Sequence, residues 1–247
     1  MLLNNTISVS SVTKLASCLN ARSGPALTVY SAERVELGGP VAARWITKIA
    51  NYLQGEAGAP LFGDEEPRPA RLHTRVEPWQ QILWEATARC LGWEILDAPR
   101  PLPGDVVVAA DADGLLARAA AAGAHALAQP ATHLAFAWDG PLPQGVLDAL
   151  QEIGAQSDTP DRPAPDLVEA ALEEALAGSR PRPEPTGDRV ALLWSARRGP
   201  AQVLDQWARG RSVVVIDPAR HEPVGAQALL AAEGMEGPIT IYMPNNP

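Results

Sequence analysis

Glu33-Arg-Val-Glu-Leu37-Gly-Gly-Pro40-Val-Ala-Ala-Arg-Trp45-Ile-Thr-Lys48-Ile-Ala-Asn51-Tyr-Leu53 decides the architecture. Arg34 to Leu37 alternates polar and apolar residues, as a strand with one buried face does. Gly38, Gly39 and Pro40 then stop the strand and open a helix. Val41, Trp45, Ile49, Tyr52 and Leu53 recur at helical spacing, and Gly55 and Gly58 end the pattern. Ala26 to Tyr30, just before, reads as a second strand joined by a tight turn. The stretch therefore predicts a hairpin followed by an amphipathic helix.

The alternation continues outward. Arg71 to Glu77 reads as a strand, and Pro78 opens a helix with Trp79, Ile82, Leu83, Ala86 and Cys90 on one face. Trp93 to Leu96 is a short strand. Val106-Val-Val-Ala-Ala110 is a continuous apolar run, as in a strand covered on both faces. A helix is predicted over Leu115 to Ala122, a strand over Leu134 to Trp138 and a helix over Gly145 to Ile153. Asp166 caps a predicted helix over Leu167 to Leu176. Strands Arg189 to Trp194, Ser212 to Asp217 and Ile239 to Tyr242 alternate with helices Pro200 to Ala208 and Gly225 to Glu233. The expected fold class is α/β, with mostly parallel sheets packed with helices.

Composition places the boundaries. Ala59 to Pro69 and Gly178 to Gly187 read as loops rich in Pro and Gly or Arg, and Gln156 to Pro165 reads as a linker. The expected organisation is a flexible start over 1–24, a first α/β subdomain over 25–155 and a second over 166–247, packed as one unit. Met243 to Pro247 is expected to be loose.

Charge and chemistry exclude more than they assign. The formal net charge of −9 argues against nucleic acid and against an anionic membrane surface. No apolar window is long enough to span a bilayer, and Met1 to Ser17 lacks the pattern of a signal peptide. Cys18 and Cys90 are far apart and are expected to be free thiols, which implies a cytoplasmic setting. The only lysines are Lys14 and Lys48. A Walker-type phosphate loop is therefore excluded beyond residue 48, and a Schiff-base lysine has only those two positions, both read as solvated charges. The G-x-G-x-x-G and G-x-S-x-G motifs are absent. His73, His125, His133 and His221 show no metal-binding spacing, so no metal and no cofactor are expected.

Two resemblances sharpen this. Asp111-Ala-Asp113-Gly114, after an apolar strand, resembles the nucleophile loop of haloacid-dehalogenase-type phosphatases. There Asp111 would attack phosphorus, Asp113 would act as acid/base, and both would hold Mg²⁺. The match spans about ten residues, has Leu115 where that family has Thr, and lacks the later lysine. The competing reading is a turn in which Asp113 caps the following helix.

The longer resemblance is to the adenylate-forming (AMP-binding, acyl-CoA synthetase-like) superfamily. It rests on Glu33 to Leu53, on Arg75-Val to Ile95 with Cys90-Leu-Gly-Trp93, and on Gly187-Asp-Arg-Val190 to Gly210-Arg-Ser-Val-Val-Val-Ile-Asp217. In order and spacing these look like a short, truncated relative matching only the N-terminal domain. The family's Ser/Thr/Gly-rich phosphate loop, with its lysine, would fall between Trp138 and Asp166. That interval holds Asp139-Gly-Pro-Leu-Pro-Gln-Gly145 and no lysine. The resemblance thus implies a non-catalytic pseudoenzyme: a binding or interaction module with no catalytic residue carried over. Its expected partners are a small-molecule ligand and a protein, a second copy included. The alternatives are a nucleotide- or acyl-binding enzyme completed by a partner, and the phosphatase reading of Asp111 and Asp113.

Overall fold

The computed structural model describes residues 12–55, 57, 70–97, 100–160 and 189–235, without the side chains of residues 112, 113, 223 and 224. The opening stretch folds as expected. β1 (Pro25–Tyr30) and β2 (Arg34–Gly38) form an antiparallel hairpin with Val29 opposite Val35. α2 (Gly39–Gln54) follows at once, with Pro40 in its first turn. Before them, α1 (Val12–Asn20) buries Val12, Leu15, Ala16 and Leu19. Those four residues sit at i, i+3, i+4 and i+7, one face of a helix; residues 1–11 of the expected flexible start over 1–24 lie outside the described residues. Gly39 is required by this packing, because a Cβ there would lie 2.1 Å from the Leu19 carbonyl oxygen.

β3 (Arg71–Arg75), β4 (Glu94–Ile95), β5 (Val106–Ala109), β6 (His125–Ala128) and β7 (Val146–Asp148) form one parallel sheet, ordered β4-β3-β5-β6-β7. β8 (Arg189–Leu193) and β9 (Ser212–Ile216) join the hairpin in a second sheet, ordered β2-β1-β9-β8, in which β1, β9 and β8 are parallel. The hairpin pairs with β9, so residues 25–38 and 189–216 share a sheet.

The remaining helices are α3 (Pro78–Cys90), α4 (Ala117–Ala121), α5 (Ala149–Gly154), α6 (Gly199–Ala208) and α7 (Pro223–Ala232). Side-chain alternation shows how the layers stack. Val213 and Val215 of β9, and Val106 and Val108 of β5, face a shared core with α1, α2, α3 and α6. Val214 and Ile216 face α7 on one outside, while Val107 and Ala109 face the Leu115–Ala119 turns on the other. The result is five layers: helix, sheet, helices, sheet, helix. The continuous apolar runs of β5 and β9 follow from being covered on both sides.

Three predicted elements differ. The chain from Leu134 to Trp138 forms no strand. The helix expected over Gly145 to Ile153 divides into β7 and α5, because Asp148 accepts the Leu150 N–H at 2.8 Å and starts the helix only there. The helix expected over Leu115 to Ala122 begins as a π-helical turn, Ala112–Leu116, before α4. The predicted elements Leu167 to Leu176 and Ile239 to Tyr242 lie outside the described residues, as do the Ala59–Pro69 and Gly178–Gly187 loops and the tail. Among the described residues no helix is long and apolar enough to cross a membrane.

Candidate functional site at the carboxyl ends of the strands

Parallel strands collect their outgoing loops at one end, where α/β folds form their clefts. Here the turn after β1, the start of α3 after β3 and the loop after β6 meet around a cavity of about 100 Å³. Ser31, Ala32 and Glu33 come from the hairpin turn, Glu77 and Trp79 from α3, and Ala131 and Thr132 from the β6–β7 loop. Each wall is locally fixed. The Ser31 N–H donates to the Glu33 carbonyl at 3.2 Å. Glu77 caps α3 through a reciprocal pair with Gln80, whose Oε1 accepts the Glu77 N–H at 3.2 Å.

The β6–β7 loop is pinned at a few points. Trp84 Nε1 donates to Gln129 Oε1 at 3.1 Å, and Gln80 Nε2 to the Pro130 carbonyl at 2.6 Å. Further along, the Trp138 N–H donates to Asp148 Oδ2 at 2.7 Å. His133 stands edge-on to Trp79, with ring centroids 5.7 Å apart. Between the anchors Leu134 and Phe136 are 74% and 93% exposed. The segment Asp139 to Gly145, where the resemblance implies a phosphate loop, lies in this connection. Pro141 and Pro143 have no N–H to offer, Asp139 is anionic, and the segment has no cationic side chain.

The two lysines sit elsewhere. Lys48 is not the solvated charge expected from sequence. Its Nζ donates to the Gly154 carbonyl at 3.1 Å and to that of Gln156, and pairs with Asp158 at 3.1 Å. The carbonyls at the C-terminal end of α5 favour a cation. Asn51 adds bonds to the Ser157 and Thr159 carbonyls, so the start of the expected linker Gln156 to Pro165 is fastened to α2. Lys14 lies on α1.

Asp111 is exposed at the end of β5, and its Oδ1 accepts the Gly114 N–H at 3.0 Å. Asp111 thus makes the turn-opening bond that the sequence reading gave to Asp113, which lies within the π-helical turn. Among the described residues no three His, Cys, Asp or Glu side chains converge as metal ligands. His73 Nδ1 lies 2.7 Å from the Leu96 carbonyl oxygen, and His221 stands edge-on to Tyr30. Cys18 is exposed and Cys90 buried, neither in a disulfide; burial pushes the Cys90 thiol up to about 12.

Two polar clusters escaped the sequence. Glu85, inside α3, accepts from Thr74 at 2.8 Å, Gln81 at 2.7 Å and Arg89 at 3.3 Å, while Gln81 also donates to the Ala196 carbonyl at 2.9 Å. This ties β3, α3 and the β8–α6 loop together, and its carboxylate is fully engaged. Next to the first hairpin, Glu233 accepts from Tyr30, from Arg34 at 2.9 Å and from Arg189 at 2.6 Å. Burial opposes the Glu233 charge, but bonds from Tyr30 and Arg34 and the charge of Arg189 outweigh it and hold the carboxyl below its usual range.

No protein-family model and no curated protein sequence matches the chain. Solved structures do match its fold. The amide bond synthetase McbA from Marinactinospora thermotolerans superposes with a TM-score of 0.52 at 15% identity, covering 90% of this chain and 47% of its own. A Brucella canis acyl-CoA synthetase gives a TM-score of 0.52 at 15% identity, covering 89% of this chain and 45% of its own. IdnL7 gives 0.50 at 18% identity, covering 92% and 49%. The chain therefore has the fold of the N-terminal domain of adenylate-forming, acyl-CoA synthetase-like enzymes. It spans about half the length of the solved structures it matches.

Proposed function

We propose that the chain works as a binding or interaction module on this fold and does not adenylate a carboxylic acid. The observation that carries the reading is the β6–β7 connection. Adenylyl transfer depends on positioned cations and backbone donors around the phosphates. Asp139 to Gly145 offers a carboxylate and two prolines instead, and Lys48 is held by α5 carbonyls and Asp158. The cavity at the carboxyl ends is the module's proposed ligand site. A cytoplasmic setting fits the two unpaired thiols.

The test is pyrophosphate release by the purified chain with ATP, Mg²⁺ and a panel of aliphatic, aromatic and amino acids. The expected result is no release above the no-enzyme rate; acid-dependent release would overturn the proposal. A second reading, a ligand-binding enzyme completed by a partner chain, draws on Leu134 and Phe136, exposed in the β6–β7 loop.

A further inference from the structure

We propose that the open edge of β8 takes the chain's own segment Ile239–Tyr242 as an added parallel strand. Among the described residues β8 is paired on one side only, by β9. Sheet edges are ordinarily guarded by charged side chains. The opposite edge, β2, is guarded in this way: exposed Arg34 and Glu36 alternate with buried Val35 and Leu37. β8 is not. Val190-Ala-Leu-Leu193 has no charge. Val190 and Leu192 pack on the shared core, and Ala191 and Leu193 pack in the outer cluster with α7. Such a run, covered on both faces, has the character of an interior strand.

The crossovers name the occupant. The unit β8–α6–β9 carries its helix on the shared-core face, and α7, which follows β9, covers the opposite face. Crossovers between parallel strands are right-handed in about 98% of cases. A right-handed crossover steps one way along a sheet when its helix covers one face, and the reverse way when it covers the other. The first unit steps from β8 to β9. A strand after α7 therefore steps back and, with β8 already beside β9, meets the open edge of β8. The end of α7 stands where such a strand must start: Arg189, the first residue of β8, donates from Nη1 to the Glu233 carbonyl at 3.4 Å. Glu236, Gly237 and Pro238 alone separate Met235 from Ile239, an ordinary length for a helix-to-strand connection. Ile239-Thr-Ile-Tyr242 consists of strong strand formers.

The experiment is amide hydrogen exchange, followed by NMR on the full chain. The Trp194 N–H donates to the Ile216 carbonyl at 2.8 Å, so Val190 and Leu192 also face β9, while Ala191 and Leu193 turn their N–H groups to the open side. Ala191 and Leu193 are expected to be protected along with Leu192. Neighbouring strand residues direct their N–H groups to opposite sides, so one of Thr240→Pro and Ile241→Pro removes a bond to β8. That variant should speed exchange at Ala191 and Leu193 about tenfold, the loss of about one hydrogen bond, and leave Val190 and Leu192 unchanged as a control on the fold. Ala191 and Leu193 exchanging like free amides in the wild type, or unchanged protection in both variants, would overturn the proposal. Protection that rises over a hundredfold range of protein concentration would put a second copy on the edge and overturn it as well.

Discussion

The helical layer between the two sheets and the loop between β6 and β7 meet through the bonds of Trp84 to Gln129 and Gln80 to Pro130 and through the Trp79–His133 ring contact, yet they are built by opposite rules. Nearly every residue of α3 is buried, and its polar side chains Gln80, Gln81, Glu85 and Thr87 all have partners. The loop is held at Gln129, Pro130, His133 and Trp138 and leaves Phe136 between them almost wholly in solvent. In a buried layer each substitution is felt by both sheets. In a loop pinned at a few points the residues between them are free to change.

The comparison breaks first at Trp84. It is 2% exposed and stands edge-on to Tyr52 at 6.4 Å. Trp84→Ala should cost about 4 kcal/mol, the range for removing a large aromatic side chain from a packed core. Urea denaturation measures it; a loss below about 1 kcal/mol would mean that the layer is not packed as described.

Next is Glu233, whose side chain is 7% exposed. Glu233→Gln keeps the shape but removes the charge that Arg34 and Arg189 meet, and should cost about 2 to 3 kcal/mol. Acid supplies a second readout. The folded-state carboxyl lies below its unfolded value, so its contribution is present above the unfolded carboxyl pKa of about 4.3 and is lost as pH falls through the folded value. The gap between wild type and Glu233→Gln should therefore narrow as pH drops below that point. Tyr30 works in the other direction. Burial, then the Glu233 bond, raises its pKa, so its contribution fades only as pH climbs past the tyrosine range near 10. A pH-independent gap would place the effect of Glu233 in packing and not in charge.

These two sites also show what the sequence could reveal. Val106, Val107 and Val108 announced a strand covered on both faces, and the spacing of Ile49, Tyr52 and Leu53 announced α2, because burial imposes a spacing that survives in one sequence. Glu85 and Glu233 announced nothing. Apart from Gln81 and Arg89, four positions from Glu85 on its own helix, their partners lie 11 to 203 positions away, and no local pattern encodes a pairing made by the fold. The joining of β1 to β9 was hidden for the same reason. α1 was legible in principle, but its Leu15 and Leu19 were masked by a polar start rich in Ser, Thr and Asn. The cavity has residues from three connections, and no two of those connections are neighbours in sequence.

Lys48 gives a smaller effect. Its side chain is 18% exposed and its ionic partner Asp158 is 57% exposed, so the ion pair itself contributes little. The bonds to the Gly154 and Gln156 carbonyls matter more. Lys48→Met should cost about 1 kcal/mol in chemical denaturation. It should also raise hydrogen exchange around Gln156 to Thr159, the segment that Lys48 and Asn51 hold. Unchanged exchange there would show that α2 does not fasten that segment.

The smallest effect belongs to the middle of the loop. Phe136 is 93% exposed, so its ring contributes almost no burial to the isolated chain. Phe136→Ser should change stability by less than about 0.5 kcal/mol, as surface substitutions usually do. The contrast with Trp84→Ala, two aromatic deletions on either side of the Trp84–Gln129 bond, then becomes quantitative. If Phe136→Ser instead costs as much as a core substitution at micromolar concentration, but less on dilution, its ring is buried by association and not by the fold. Stability that depends on protein concentration is the mark of a contact between chains. Denaturation at two concentrations a hundredfold apart separates the outcomes, and coincident curves would leave the loop as the unpacked counterpart of the helical layer.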